Sequence, residues 1–361
     1  MGTLSTAILT NGRGEFFLDQ VALGDPGPGE VLVEIHASGV CHTDYDTMRW
    51  GRTMVMGHEG AGIVLACGKE VTHVQSGDRV LLNWAMPCGL CFQCRQGAEN
   101  ICEAKLSVPS ARFLHNGTNI STSFDLGTMS THTVVPWQAL VKIDVEIPFP
   151  SAAILGCGVM TGWGSVVNAA RVEKGSSVVV LGCGGVGLSV VQGAVHACAS
   201  KIIAVELNRH RLDLAVQFGA THTILATGDD TGLLQAAAEV RKLTIRGADY
   251  AFECTAVPAL GASPLAMVRN GGMAVAVSGI EEFASIDMQL FEWDKHYINP
   301  LYGQCRPSID FPVLLSLYQQ RRLKLDEMVT RTYPLTGLSD AFEHMRLGLN
   351  AKGVLLPHGQ P

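Results

Sequence analysis

The sequence predicts an α/β protein in two parts, a β-rich domain and a domain built on a doubly wound parallel sheet. Three observations predict it. Up to about Leu155, short apolar runs stand between glycine and proline turns. Beyond that point, short apolar runs alternate with helical stretches, the pattern of a parallel sheet covered on both faces. Finally, the glycine-rich stretch Gly182-Cys183-Gly184-Gly185-Val186-Gly187 joins one such run to an apolar helix.

The elements follow in order. Val31–Ile35 comes after the turn residues Asp25-Pro26-Gly27-Pro28-Gly29, and Gly62–Leu65 and Asp78–Leu82 read as further strands. Ser177–Leu181, Lys201–Val205, Asp249–Phe252 and Met273–Val277 are the strands of the parallel sheet, with helices over Val186–Ala199 and Leu212–Phe218. Leu314–Arg321 and Ser339–Leu347 carry helical periodicity, with no further βα repetition expected around them.

Composition excludes several classes. Of 361 residues, 47% are hydrophobic and 16% charged, enough apolar material for two cores and too much for a disordered acidic chain. The 40 glycines show no three-residue period, which excludes a collagen-like chain. A net charge of −7 has the wrong sign for an electrostatic nucleic-acid footprint. An odd count of 11 cysteines, with no basic and apolar leader at Met1–Thr6, argues for a reducing compartment and against a disulfide framework. Ser176–Ala199 is apolar but holds glycines, Gln192 and His196, so it reads as a buried strand, turn and helix and not as a membrane span. A cytoplasmic protein without membrane or nucleic-acid partners is the expectation.

Cys88, Cys91, Cys94 and Cys102 form C-x₂-C-x₂-C-x₇-C. Four thiols this close suit a closed tetrahedral Cys₄ zinc site, which is structural because no coordination position stays open. An iron–sulfur cluster is the rival reading of the same spacing. Three other candidates are scattered: Cys41 in Gly39-Val40-Cys41-His42-Thr43-Asp44, His58 in Gly57-His58-Glu59-Gly60, and Cys157 in Leu155-Gly156-Cys157-Gly158. Two cysteines and a histidine make the open set of a catalytic zinc, but spacing alone does not link them.

In the glycine-rich stretch, Gly182 permits a tight turn, Gly184 lets backbone approach a pyrophosphate and Gly187 allows close packing of helix on strand. Amides of Gly185 and Val186 at the helix start then hold the phosphates. Glu206 lies 19 residues after Gly187, where a carboxylate accepts hydrogen bonds from ribose hydroxyls and repels a 2′-phosphate, favouring NAD. Arg209 and Arg211 nearby keep NADP open, and Arg211 is a further candidate cofactor contact.

Taken in this order, Pro28-Gly29-Glu30-Val31, Gly57-His58-Glu59-Gly60-Ala61-Gly62-Ile63-Val64, the cysteine quartet, the dinucleotide motif and Lys352-Gly353-Val354 resemble the zinc-dependent alcohol dehydrogenases of the medium-chain dehydrogenase/reductase superfamily. The resemblance runs nearly end to end. It implies a GroES-like β-rich catalytic domain over residues 1–155 and 299–361, split around a Rossmann NAD-binding domain over 156–298. By the resemblance, Cys41, His58 and Cys157 hold a catalytic zinc and the cysteine quartet a structural one, two zincs per subunit. Asp44 supports His58, Glu59 is an alternative ligand, His42 and Lys352 contact the pyrophosphate, and Thr161 touches the nicotinamide. Cys67, Cys183, Cys198, Cys254 and Cys305 fit no ligand role.

The implied reaction is oxidation of an alcohol, with zinc as Lewis acid and hydride transfer to NAD. Thr43 matches the hydroxyl that takes the alcohol proton, and Asp46 stands where many members carry a relay histidine. Cys41 to His58 spans only 17 positions, a shortened stretch that leaves Met48, Trp50, Met54 and Met56 as candidate pocket lining. Trp84 and Met160 match pocket positions too. Such a wall suits primary aromatic, allylic or medium-chain alcohols. Asn83-Trp84 and Leu155–Met160 also resemble thiol-adduct formaldehyde dehydrogenases, the alternative reading, and a zinc-stabilised binding protein without turnover is a third. A homodimer or homotetramer, joined near Tyr297–Gly303, is expected from the resemblance.

Overall fold

A computed structural model describes residues 2–104 and 112–359. The chain divides into two compact units, Met1–Cys157 with Arg306–Pro361, and Gly158–Cys305. The expected borders stood at 155/156 and 298/299, so the chain leaves the second unit several residues later than its last strand suggested.

The first unit carries two sheets. One is six-stranded and built on the antiparallel pair Thr3–Thr10 and Phe16–Leu23. The other has seven strands centred on Glu30–Gly39, whose alternate residues Val31, Val33 and Ile35 are fully buried with Val64, Val80 and Leu82. That strand pairs antiparallel with Gly60–Cys67 on one side, with Ser38 opposite Gly60. On the other it pairs with Lys352–Leu356, with Gly39 opposite Val354. The register therefore gathers three distant stretches at one end of the sheet: the residues just after Gly39, those just before Gly60, and the start of the last strand.

The C-terminal stretch departs from expectation. Val329–Pro334, the helix Leu338–Arg346 and Lys352–Leu356 form a further βαβ unit with parallel strands. The first strand reads Val-Thr-Arg-Thr-Tyr-Pro with only Tyr333 buried, so no apolar run announces it.

The second unit is a six-stranded sheet, all parallel. Its order in space is His222–Leu225, Lys201–Glu206, Ser177–Leu181, Ala248–Glu253, Val268–Ala276, His296–Ile298. Numbered along the chain this is 3-2-1-4-5-6, the doubly wound order, in which ligands bind beyond the carboxyl ends of the strands at the reversal point. Val178–Leu181 are wholly buried, as a strand covered on both faces requires. Ser176–Ala199 is indeed strand, turn and helix, and no single helix among the described residues is long and apolar enough to cross a membrane.

Candidate metal centre and dinucleotide turn

The strand register explains how scattered residues meet. Cys41 follows Gly39 by two residues and caps the short helix His42–Thr47, His58 and Glu59 lead into the strand Gly60–Cys67, and Cys157 closes the turn Ile154–Gly156. Ligand atoms of Cys41, His58, Glu59 and Cys157 all lie within 4.8 Å of one another.

One carboxylate organises two of the ligands. Asp44, fully buried, stands with Oδ1 2.9 Å from His58 Nδ1, and its Oδ2 accepts the Cys41 amide proton at 2.9 Å. Tying up Nδ1 turns the lone pair of Nε2 inward, and Nε2 is buried with no hydrogen-bond partner among the described residues. Burial disfavours the charged imidazole, yet Asp44 outweighs it and holds the His58 pKa well above the ordinary value. A hydrogen bond from Cys157, opposed by burial, pulls the Cys41 thiol well below the usual range, and the same bond together with burial pushes Cys157 well up. An orphaned buried nitrogen beside two thiols disposed to share one proton is the donor chemistry that a zinc ion satisfies, so the residues fit the metal.

The cysteine quartet is likewise assembled, with its four sulfurs within 4.8 Å of one another and none in a disulfide. Backbone amides point at the sulfurs: those of Leu90 and Cys91 at Cys88, at 3.4 and 3.3 Å, and that of Cys94 at Cys91, at 3.5 Å. Such donors favour thiolate, and the Cys94 amide leads in bringing Cys91 down to about 6, while burial pushes Cys94 up to about 12. Closed, with four sulfurs, the site suits structural zinc.

Around the first centre, the sequence reading missed Phe124. Its ring lies 4.9 Å from His58, 5.5 Å from Trp84 and 5.6 Å from Trp50, between centroids. Phe124 has φ 51° in a turn ahead of Leu126, a left-handed conformation rare for an aromatic residue, and nothing in its local sequence signals a role. Trp84 and Trp50 thus pack on the ring that faces His58. Met48, Met54 and Met56 are all buried, Met48 and Met56 in the core with Tyr333, Leu338 and Phe342.

Thr43 is half-buried with Oγ1 3.7 Å from the Cys41 sulfur, Asp46 is half-buried one turn on, and His42 is exposed. Lys352 is buried, with its ammonium 2.8 Å from Glu59 Oε1 and 2.7 Å from Oε2. Burial opposes that charge, but Glu59 raises the lysine's pKa overall. Met160 and Thr161 belong to the second unit, on the helix Gly158–Gly164, with Met160 buried and Thr161 half-buried.

In the second unit, Gly182 adopts φ 84°, and a Cβ on Gly187 would stand 1.9 Å from the Gly182 carbonyl oxygen, so both must be glycine. Next to Gly184 there is open space, and Gly184 leads the helix Gly185–His196. Glu206 reaches this turn: its carboxylate accepts the amide protons of Cys183 at 2.9 Å and Leu207 at 2.7 Å, with Arg211 Nη1 3.8 Å away.

Comparison with known proteins identifies two domain families along the chain. Residues 27–145 match the family described as Alcohol dehydrogenase GroES-like domain, and residues 185–318 match Zinc-binding dehydrogenase. The NDMA-dependent alcohol dehydrogenase of Amycolatopsis methanolica is 34% identical, over 97% of this chain and 98% of that protein. The S-(hydroxymethyl)glutathione dehydrogenase of Synechocystis is 35% identical, over 93% of this chain and 95% of that protein. Among solved structures, benzyl alcohol dehydrogenase of Acinetobacter calcoaceticus superposes with a TM-score of 0.89 at 29% identity, covering 98% of this chain and 99% of the other. With two domain families in this order and relatives matched along nearly their whole length, the chain belongs to the zinc-dependent alcohol dehydrogenases of the medium-chain dehydrogenase/reductase superfamily.

Proposed function

We propose that the protein oxidises a primary alcohol to its aldehyde, reversibly, with NAD as partner, and that aromatic, allylic or medium-chain alcohols are its substrates. The observation that carries the substrate class is the cluster of three aromatic rings in which Phe124 faces His58 and Trp50 and Trp84 pack on Phe124. Flat apolar faces beside a polar centre suit a planar hydrocarbon with one hydroxyl. The likeness to benzyl alcohol dehydrogenase supports the same class.

Cys41, His58 and Cys157 would hold a zinc ion, which would supply Lewis-acid polarisation of an alcohol oxygen, and bound NAD would supply the hydride acceptor. Thr43 takes the alcohol proton, a role supported by its position 3.7 Å from the Cys41 sulfur, and half-buried Asp46 passes it on to solvent. Asp44 keeps His58 in one tautomer. Gly182–Gly187 and Glu206 hold the dinucleotide by its pyrophosphate and adenosine ribose, and His42 and Thr161 add contacts. A second zinc on the cysteine quartet braces its loop. The chain acts as a homodimer or homotetramer in the cytoplasm, a compartment supported by cysteines that are all free.

A second reading has its own support in the 35% identical S-(hydroxymethyl)glutathione dehydrogenase: oxidation of a thiol adduct of formaldehyde. NADH formation with benzyl alcohol, cinnamyl alcohol, and formaldehyde with and without glutathione separates the two. Turnover of the free alcohols is expected. Activity confined to formaldehyde plus thiol selects the second reading, and none on any substrate, with both metals and NAD bound, defeats both.

A further inference from the structure

Away from both cysteine sites, four further metal-ligating side chains gather on the seven-stranded sheet, and the reaction set out above does not use them. Glu34 and His36 are alternate residues of Glu30–Gly39, on the face opposite the buried Val33 and Ile35. His132 stands directly across from Glu34 in an antiparallel pair, so its side chain shares that face. His358 follows the last strand, where Leu355 lies opposite Ser38 and the chain runs on toward His36. Because Gly60–Cys67 takes one edge of Glu30–Gly39, the strands His132–Pro136 and Lys352–Leu356 share the other. They converge near Ile35, whose amide donates to the Thr131 carbonyl at 2.9 Å.

The side chains meet where those strands do. The Glu34 carboxylate lies between two imidazoles, with Oε2 3.1 Å from His36 Nε2 and Oε1 3.8 Å from His358 Nε2. Zinc stands about 2.0–2.2 Å from imidazole nitrogen and carboxylate oxygen, so its tetrahedral ligand atoms lie roughly 3.3 Å apart. The Glu34–His36 separation is already near that value, and Glu34–His358 is close to it. The His358 ring centroid is 5.5 Å from that of His36 and 6.1 Å from that of His132. Two of the rings are braced: His36 stacks on Phe149 at 4.6 Å, and His132 Nδ1 is 3.1 Å from Thr131 Oγ1, which leaves Nε2 available as a ligand atom. His358 is the exposed member of the four, so rotation of its side chain can draw the set onto one centre. Arg79, which also packs on Phe149, is engaged by the Ile147 carbonyl and stands 3.9 Å from Glu146.

We propose that Glu34, His36 and His358, with His132 as fourth donor, form a further binding site for a divalent transition ion of the zinc type, which clasps the segment after the last strand to the sheet. Imidazoles with one carboxylate suit such an ion, whereas magnesium prefers an all-oxygen set. The site draws on none of the cysteines and stands whether or not those hold zinc.

Calorimetric titration of zinc chloride into the full-length protein, purified with its tightly held metal retained, tests the proposal. One further ion per chain is expected, and magnesium chloride at the same concentration gives no binding heat. His36→Gln and His358→Gln each weaken that binding by roughly tenfold or more, since loss of a group that merely supports a ligand already costs about 10- to 100-fold. Should one of these variants fail to fold, the other carries the test. His222→Gln, in the parallel sheet, leaves the affinity unchanged. Hydrogen exchange at the His358 and Gly359 amides slows when zinc is added to the parent. No further ion on the parent overturns the site. An affinity unmoved in both cluster variants, or weakened as much by His222→Gln, also overturns it and leaves only scattered surface binding. Exchange that zinc does not slow overturns the clasp.

Discussion

At the residue scale, Asp44 does more than its place three residues after Cys41 suggests. One buried carboxylate fixes the imidazole of one ligand and the backbone of another. Removing such a partner costs metal affinity about 10- to 100-fold. Asp44→Ala is therefore expected to release zinc to a competing chelator at that much lower chelator concentration, while retention as tight as the parent's removes Asp44 from the centre. Glu206 is bound to the glycine turn, with Oε2 on the Cys183 amide and Oε1 on that of Leu207. Glu206→Gln removes the charge that repels a 2′-phosphate, and the preference for NAD over NADP in kcat/KM is expected to narrow by roughly tenfold, one charged contact's worth. A ratio left unchanged assigns Glu206 to shaping the turn alone. Phe124 had no signal in the sequence because its contribution depends on a left-handed turn that carries its ring toward His58.

At the scale of elements, the strands at Ser177–Leu181, Lys201–Glu206 and Ala248–Glu253 were read to within a residue, since burial on both faces demands apolar runs, whereas the strand expected at Met273–Val277 runs Val268–Ala276 because its first half is polar and glycine-rich. Val329–Pro334 was not read at all, because only one face of it meets the core. The short helix Phe92–Arg95 within the quartet is too brief to stand alone and takes its shape from the cysteines around it. In the parallel sheet, Asp249 ties two central strands: its Oδ2 accepts both the amide and the hydroxyl proton of Ser177 at 2.8 Å, and Arg269 Nε is 2.7 Å from Oδ1. Burial raises its pKa, but the Ser177 amide and Arg269 together hold it below the usual carboxylate value of 3.8. A depressed folded pKa means stability present above the unfolded value and lost as pH falls through the folded one. Melting temperatures of the parent and Asp249→Asn should therefore differ near neutrality and converge on acidification below about pH 4. A difference that persists unchanged in acid shows that charge on Asp249 contributes nothing.

At the scale of the whole molecule, chemistry is divided between the two units: all metal-ligand candidates lie in the first and the dinucleotide turn in the second. The parallel sheet ends on a three-residue strand, His296–Ile298, with one neighbour, and an edge of this kind invites pairing with another chain. Light scattering is expected to return the mass of two or four chains. His296→Pro, at an exposed position of that edge, removes a ladder donor and should lower the mass. A single-chain mass for the parent at micromolar concentration defeats the oligomer, and an unchanged mass in the variant moves the interface elsewhere.

The sequence by itself determined what is local. The quartet's ligands fall within one loop, the glycine turn within six residues, and the strand and helix periods within each element, so backbone geometry and metal chemistry constrain them without reference to the rest of the chain. Cys41, His58 and Cys157 were linked only through a family resemblance, because what joins them is strand register: Ser38 opposite Gly60 and Gly39 opposite Val354. The same register decided that Lys352 meets Glu59, and packing decided that Met48 and Met56 face the core. Which strands pair, and at which residue, is settled by burial summed over a whole sheet, and no single stretch of sequence carries that sum.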